Sequence, residues 1–132
     1  AGLIAIGEHK EALTLTTNAI DVQQRGGKLL YMPALFRMKG LILASRSAED
    51  HLEAEESLLS AIDWAKRQSA TLFELKAATD LAELLPKQGR VREAYKHLSA
   101  ALDRMPAGIL SPAHERSLQV LNRLQSGIKA VG

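Results

Sequence analysis

The four histidines are the most versatile chemical groups in this chain, because an imidazole can bind a transition metal or transfer a proton. They are His9, His51, His97 and His114. No two of them are four residues apart, none belongs to an HExxH pattern, and the chain has no Cys to complete a set of metal ligands. The sequence therefore predicts no metal site.

Motifs for nucleophilic catalysis and phosphate binding are also missing. The segment Gly26-Gly27-Lys28 lacks the spacing of a GxxxxGK[ST] loop, and no Ser stands in a GxSxG turn. The adjacent acids Glu55-Glu56 point to different sides of a helix and not towards one reaction centre. We therefore expect no catalytic residues and no cofactor, and predict that the chain is not an enzyme.

The composition indicates that helices position whatever side chains do matter. The 132 residues include 22 Leu and 20 Ala, both good helix formers, whereas Val, Ile and Thr together number 16. The length suits one domain with a sizeable core. We predict an all-α fold, with helices at 8–25, 30–45, 50–67, 71–86, 90–104 and 112–126.

The charges are nearly balanced, with 17 Lys and Arg against 15 Asp and Glu, for a net charge of +2. Because the basic residues are scattered, we expect no direct nucleic-acid binding by this segment. No apolar run approaches the roughly 20 residues that span a bilayer, so we expect no membrane insertion. The absence of Cys permits a cytoplasmic location, which is the one we expect. The chain begins Ala1-Gly2 without Met, and we expect it to be a piece of a longer protein.

A pattern of small residues recurs three times, at spacings of 42 and 40 residues. Each copy has an Ala preceded by Glu, and a second Ala seven residues later that is followed by Ile or Leu. These positions share one helical face, where Ala allows a neighbouring helix to approach closely. The Ala pairs are Ala12 and Ala19, Ala54 and Ala61, and Ala94 and Ala101.

Helices of a second type, rich in large apolar residues, lie between these copies. Each contains a small residue, Gly40 in one and Ala82 in the other, and the two are 42 residues apart. A Gly inside a helix costs about 0.5–1 kcal/mol relative to Ala, and we expect a close helix crossing to offset that cost.

Three helix starts carry capping signals. Asp50 followed by Glu53, and Thr71 followed by Glu74, have the spacing of a capping box. Ser111-Pro112 is typical of an N-cap followed by Pro at the first helical position.

These features resemble the tetratricopeptide repeat (TPR), in which paired antiparallel helices carry Gly or Ala in the first helix and the Ala pair in the second. The resemblance runs over residues 28–126, through Pro33-Ala34-Leu35-Phe36-Arg37-Met38-Lys39-Gly40, then 54–68 and 74–85, and closes at Glu93-Ala94. It is similar to the C-terminal TPR region of large bacterial signalling proteins. Those proteins join a DNA-binding winged helix or a class III nucleotide cyclase to a regulatory ATPase.

The chain departs from the repeat pattern at three places. Thr16 stands where a large apolar residue is usual, and Pro86-Lys87 shortens a helix end. The first repeat is truncated, which would leave Leu3, Ile4 and Ile6 at an unfinished apolar edge.

The resemblance implies αα-hairpin repeats stacked in a right-handed superhelix within a single domain, residues 1–132. The repeats would be 1–27 (truncated), 28–69 and 70–107, with a C-terminal capping helix at 111–127. A TPR groove is lined by the first helix of each pair. Helical spacing from Gly40 and Ala82 then gives the candidate groove residues, which are Arg37, Leu41, Lys76, Thr79 and Glu83.

The function that this resemblance implies is a non-catalytic interaction and regulatory module, the C-terminal arm of a bacterial signalling or transcriptional regulator. Its partner would be a protein or peptide, or another domain of the same chain. The alternative is a sensor that binds a small metabolite in the groove. The sequence also allows a homodimer. Trp64 and Tyr95 are either exposed anchors for a partner or packing residues between helix pairs.

Overall fold

The structure, a computed structural model, describes residues 6–106, 108 and 111–131, apart from the side chains of residues 6, 7 and 131. The regular secondary structure in these ranges is entirely helical, as the composition predicts. The helices are α1 (Ile6–Arg25), α2 (Met32–Arg46), α3 (His51–Arg67), α4 (Thr71–Leu84), α5 (Val91–Asp103) and α6 (Pro112–Val131). Short 3₁₀ turns at Ala48–Asp50 and Leu85–Gln88 precede α3 and follow α4.

The predicted helix ends agree with these bounds to within two residues, except at the end of α6. That helix runs on to residue 131, five residues beyond the predicted end. Gly127 does not interrupt it, and Val91 Cγ1, at the start of α5, is 3.7 Å from the position that a Cβ on Gly127 would take. The turn before α5 ends at Gly89, whose φ of 73° is a left-handed conformation that favours glycine.

The N-cap predicted at Ser111 is confirmed. The backbone N–H of His114 donates to Ser111 Oγ at 3.2 Å. The capping box at Asp50 is wrong, although Asp50 does precede α3. Its carboxylate accepts from the hydroxyl of Ser47 and lies near the guanidinium of Arg46, both at 3.3 Å, and so does not cap the helix.

The capping box at Thr71 and Glu74 is also wrong. Helix α4 begins at Thr71 itself, and Ala70 occupies the N-cap. The Glu74 side chain is 3% exposed and pairs with Arg104, which follows α5. A hydrogen bond to a charged group is stronger than one to a backbone amide, so the distant arginine takes the carboxylate that the local pattern assigns to the cap.

Consecutive helices pack against each other along the whole chain. In addition, α2 contacts α4 and α4 contacts α6, whereas α1, α3 and α5 make no such contacts among themselves within the described ranges. Helices α2, α4 and α6 therefore form one continuous side of the molecule. On the other side, the backbones of α3 and α5 do not approach each other closely within the described ranges.

The recurring small residues lie at helix crossings. A Cβ on Gly40 would be 3.2 Å from the carbonyl oxygen of Ala54 and closer still to the Leu58 side chain. Gly40 therefore has a packing role between α2 and α3. The equivalent positions of the other helices are also buried at 0–2% exposure: Ala54, Ala61, Ala82, Ala94 and Ala101.

The first copy of the Ala pattern is less buried than the other two. Ala12 and Ala19 are half-buried, since within the described residues α1 packs on α2 alone and no helix precedes it. Thr16 is buried, and its hydroxyl donates to the carbonyl oxygen of Ala12 at 2.8 Å, which satisfies the polar group within its own helix. The expected apolar edge at Leu3 and Ile4 lies outside the described residues.

Candidate functional site

A buried carboxylate joins the three helices of the continuous side. Asp80 of α4 has a side chain that is 2% exposed, and it accepts hydrogen bonds from Arg37 Nε of α2 at 2.5 Å and from Arg116 Nη2 of α6 at 3.1 Å. Arg116 Nη2 also donates to Glu83 Oε1 at 2.8 Å. Burial of a carboxylate is costly unless it is paired, and two guanidinium groups supply the pairing here. Asp80 thereby fixes α2 and α6 on either side of α4.

Helical spacing explains why these groups converge. Lys76, Asp80, Glu83 and Lys87 follow one another at intervals of four, three and four residues, which places them along one stripe of α4 and the turn after it. The stripe lies where α4 contacts both α2 and α6. Side chains from both neighbours therefore reach the same line of charges.

An open cleft of about 500 Å³ runs between α2 and α4 beside this stripe. We call it the α2–α4 cleft. Its α2 wall is mainly apolar, and it includes Met38 and Leu41, which are 51% and 40% exposed. Its opposite wall carries Asp80, Glu83 and Lys87 of the α4 side, with Arg116 of α6 at the edge.

A second open cleft, of about 400 Å³, lies between α4 and α6. We call it the α4–α6 cleft. It shares Glu83 and Lys87 with the first cleft, and α6 contributes Val120, Arg123 and Leu124. The two clefts together form a surface across α2, α4 and α6, which we call the inner groove.

Two cations of the inner groove are available to a ligand. Lys87 forms no ion pair with any residue that the structure describes, and the Arg123 side chain is 71% exposed and only within 4.0 Å of Glu83. Arg37 and Arg116 are held by Asp80. Three cations line the two clefts, Lys87, Arg116 and Arg123, against the two carboxylates Asp80 and Glu83, which leaves an excess of positive charge in the groove.

The structure brings some of the sequence-predicted groove residues together. Leu41 and Glu83 both line the α2–α4 cleft. Arg37 lines neither cleft; its side chain is 28% exposed and its guanidinium is paired with Asp80. Lys76 lies one turn before Asp80, outside the clefts, with its ammonium 5.5 Å from the centre of the Phe73 ring.

Thr79 lies away from this surface. Its side chain is buried at 1% exposure, and its hydroxyl donates to the carbonyl oxygen of Leu75 at 2.7 Å. The hydroxyl is therefore satisfied inside the helix and is not presented to a ligand.

Most residues that line the groove are not predicted from the sequence, including Met38, Asp80, Lys87, Arg116 and Arg123. Lys87 follows Glu83 by one helical turn, so the spacing that selected Glu83 also indicates Lys87. Arg116 and Arg123 are seven residues, or two helical turns, apart on α6, and this spacing indicates that they share one face of the helix. The sequence predicts only a capping role for α6, and Arg116 and Arg123 are therefore not among the predicted groove residues.

Trp64 and Tyr95, for which the sequence allows either a partner-binding or a packing role, are both half-buried. The guanidinium of Arg67 lies 4.7 Å from the centre of the Trp64 ring. Tyr95 packs against the core. Both positions favour packing over a free anchor.

No group of three His, Asp or Glu side chains in the described ranges is arranged to hold a metal ion. Likewise, none of the helices described has the length and apolar character to span a bilayer.

The inner groove is a mixed surface, apolar on its α2 side and cationic towards α6. No protein-family model, curated protein or solved structure matches this chain.

Proposed function

We propose that the chain is a non-catalytic interaction module of the TPR type, in which α2 with α3 and α4 with α5 form hairpins stacked in a right-handed superhelix. Helix α1 ends the truncated first repeat, and α6 is the capping helix. The burial of Gly40, Ala82 and the two later Ala pairs at helix crossings supports this arrangement. So do the serial contacts of α2, α4 and α6, which are the helices expected to line the groove.

The ligand of the inner groove is an extended acidic peptide with an apolar side chain, from a partner protein or another domain of the same polypeptide. The observation that carries this assignment is the position of the unpaired Lys87 beside the exposed Met38 and Leu41. An acidic residue of the peptide would meet the ammonium of Lys87 and the guanidinium of Arg123. A neighbouring apolar side chain would cover Met38 and Leu41.

An extended segment fits better than a compact metabolite. The two clefts are open and continue into each other at Glu83 and Lys87, whereas a metabolite is usually enclosed on most of its surface. A metabolite in the groove, the alternative function, is therefore an outcome that the binding experiment must distinguish.

Asp80 provides a way for binding to be transmitted. A peptide carboxylate that draws Arg116 away from Asp80 weakens the link between α4 and α6, while the link from Asp80 to Arg37 stays intact. The peptide then favours the arrangement of α6 that releases Arg116, and it shifts the equilibrium only by its difference in affinity for the two arrangements. Such a shift suits a cytoplasmic regulatory arm of a bacterial signalling protein.

A peptide-display selection on the purified chain tests the proposal. The selection is run on the wild type, on Lys87→Glu/Arg123→Glu, and on the matched control Lys10→Glu/Lys28→Glu, whose exposed lysines lie outside both clefts. We expect wild type and control to enrich the same acidic peptides with an apolar residue, and the groove variant to lose them.

Enrichment of the same peptides by all three proteins would refute the assignment to the groove. Enrichment of basic or purely apolar peptides would refute the ligand class. A metabolite that binds the wild type, fails to bind the groove variant and blocks peptide capture would establish the alternative function.

A further inference from the structure

A separate cleft lies on the other side of the molecule, between α3 and α5 and over α4. It has a volume of about 330 Å³ and shares no lining residue with the inner groove. We call it the outer cleft. Its apolar lining includes Ile62, Ala78 and Ala101, which are almost fully buried. Because two of these side chains are only methyl groups, and because the backbones of α3 and α5 do not approach each other closely, a space remains between the helices.

Both carboxylates of the outer cleft are paired with arginines, and Arg90, the partner of Glu93, also donates to Glu55 of α3. Glu74 is buried and pairs with Arg104. Glu93 accepts from Arg90 Nε at 3.0 Å and from its Nη2 at 2.5 Å, and this hydrogen bonding lowers the pKa of Glu93. Each carboxylate therefore has an arginine as its hydrogen-bonded partner.

Two lysines of the outer cleft have no carboxylate partner at ion-pair distance among the described residues. Lys66 of α3 and Lys96 of α5 line opposite walls, and neither ammonium group forms an ion pair or hydrogen bond with a residue in the described ranges, although the charge of Lys96 contributes to the lowered pKa of Glu93. Their side chains are exposed and free to move towards a ligand. Two ammonium groups facing one small space attract an anion, because like charges held close together repel until a counter-charge lies between them.

A half-buried imidazole completes the wall of the cleft. Burial lowers the pKa of His97 from its ordinary value of 6.5, so at neutral pH the ring offers one donor and one acceptor. The charged groups around it are Glu55 and Lys66 of α3, Glu74 of α4, Glu93 and Lys96 of α5, and Arg104, which follows α5.

We propose that the outer cleft binds a small organic anion, with its carboxylate or phosphate group between Lys66 and Lys96 and its apolar part over Ile62 and Ala101. The volume lies near the lower end of the roughly 300–1,000 Å³ typical of ligand pockets, which suits a small metabolite and excludes a peptide. This site is independent of the inner groove, because the two share no residue.

The probes are phenyl phosphate and benzoate, which share an apolar ring and differ in the anionic group, with benzyl alcohol as the neutral analogue and inorganic phosphate as the ion alone. Binding is followed by NMR amide shifts on the wild type, on Lys66→Gln/Lys96→Gln, and on the matched control Lys10→Gln/Lys28→Gln. All four lysines are exposed, so each variant is expected to fold, and circular dichroism checks this.

We expect phenyl phosphate, benzoate or both to shift amides of α3 and α5, and the comparison of the two identifies the preferred anion. Affinity should fall about tenfold in Lys66→Gln/Lys96→Gln and stay unchanged in the control. A bound anion should also raise the pKa of His97 in the wild type, measured from its ring resonances, because a nearby negative charge favours the imidazolium.

Equal affinity in the two double variants, or shifts confined to other helices, would overturn the site. Equal binding of benzyl alcohol would show that the anion is not recognised. Equal binding of inorganic phosphate would show that the apolar lining contributes nothing, and no binding by either aromatic anion would overturn the ligand class.

Discussion

Gly40 of α2 lies directly against Leu58 of α3, with no space for a methyl group between them. A Cβ on Gly40 would be 2.7 Å from Leu58 Cγ and 2.8 Å from its Cδ2, well inside van der Waals contact. Leu58 is 1% exposed and held by the core, so it cannot move aside freely. The two helices can therefore pack this closely only because Gly40 has no side chain.

The first prediction follows from this contact. Gly40→Ala should lower the free energy of unfolding by about 1–2 kcal/mol, because the overpacking cost of about 1–3 kcal/mol exceeds the gain in helix propensity of up to about 1 kcal/mol. Gly127→Ala is the matched control. Its Cβ meets only Val91 Cγ1, at 3.7 Å, so it should stabilise the chain by about 0.5–1 kcal/mol. Urea unfolding measures both changes, and a stabilising Gly40→Ala would contradict the crossing.

The bridge at Asp80 gives the second prediction. Asp80→Asn keeps the volume of the side chain but removes the charge that holds Arg37 and Arg116, and we expect a loss of about 1.5–3 kcal/mol in unfolding free energy. Asp63→Asn is the control, since Asp63 and Arg67 are both more than half exposed and such pairs contribute under about 1 kcal/mol. Equal losses in the two variants would mean that Asp80 does not tie the helices together.

The third prediction concerns the buried Glu74. Arg104→Gln should destabilise the chain by about 3 kcal/mol, because it leaves the carboxylate of Glu74 buried without a counter-charge. Glu74→Gln/Arg104→Gln should recover part of that loss, since no charge is then buried. A double-mutant cycle from chemical denaturation measures the coupling. Additive effects of the two single substitutions would count against the pair.

The pH dependence of stability provides the fourth prediction. The folded state lowers the pKa of His97 below 6.5, so the unfolded chain takes up a proton at a higher pH than the folded chain does. The contribution of His97 to stability is thus complete above about pH 6.5 and is lost as the pH falls through the folded-state pKa. We expect the Tm of wild type to fall more than that of His97→Asn between about pH 7.5 and about pH 5.5. An equal fall in Tm in His97→Asn would mean that His97 contributes nothing to the pH dependence, and a larger fall would reverse the sign of its contribution. Either result would contradict the lowered pKa of His97.

The helix crossings were predictable from the sequence because their signal repeats locally. Gly40 and Ala54 stand in patterns that recur along the chain, and the buried face of a helix follows its own periodicity. The ion pairs were not predictable in this way. Asp80 takes Arg37 and Arg116 from 43 and 36 residues away, and no local spacing encodes which helices become neighbours.

The same distinction explains the errors at Glu74 and Thr79. Glu74 fits a local capping box, yet a guanidinium 30 residues away binds it more strongly. Thr79 was placed on the groove by its spacing from Ala82, but its face of α4 is buried. Placement on a helical face follows from spacing, whereas the neighbour that covers the face follows only from the tertiary structure.

The affinity of one acidic peptide for three forms of the chain tests the central claim most directly. Fluorescence anisotropy gives the Kd of a selected acidic peptide for the wild type, for Lys87→Glu/Arg123→Glu, and for Lys10→Glu/Lys28→Glu. We predict roughly tenfold weaker binding to the groove variant, no change for the control, and weaker binding to wild type as salt screens the charges. Equal Kd values for the groove variant and the wild type would contradict the assignment of the inner groove as a peptide-binding surface.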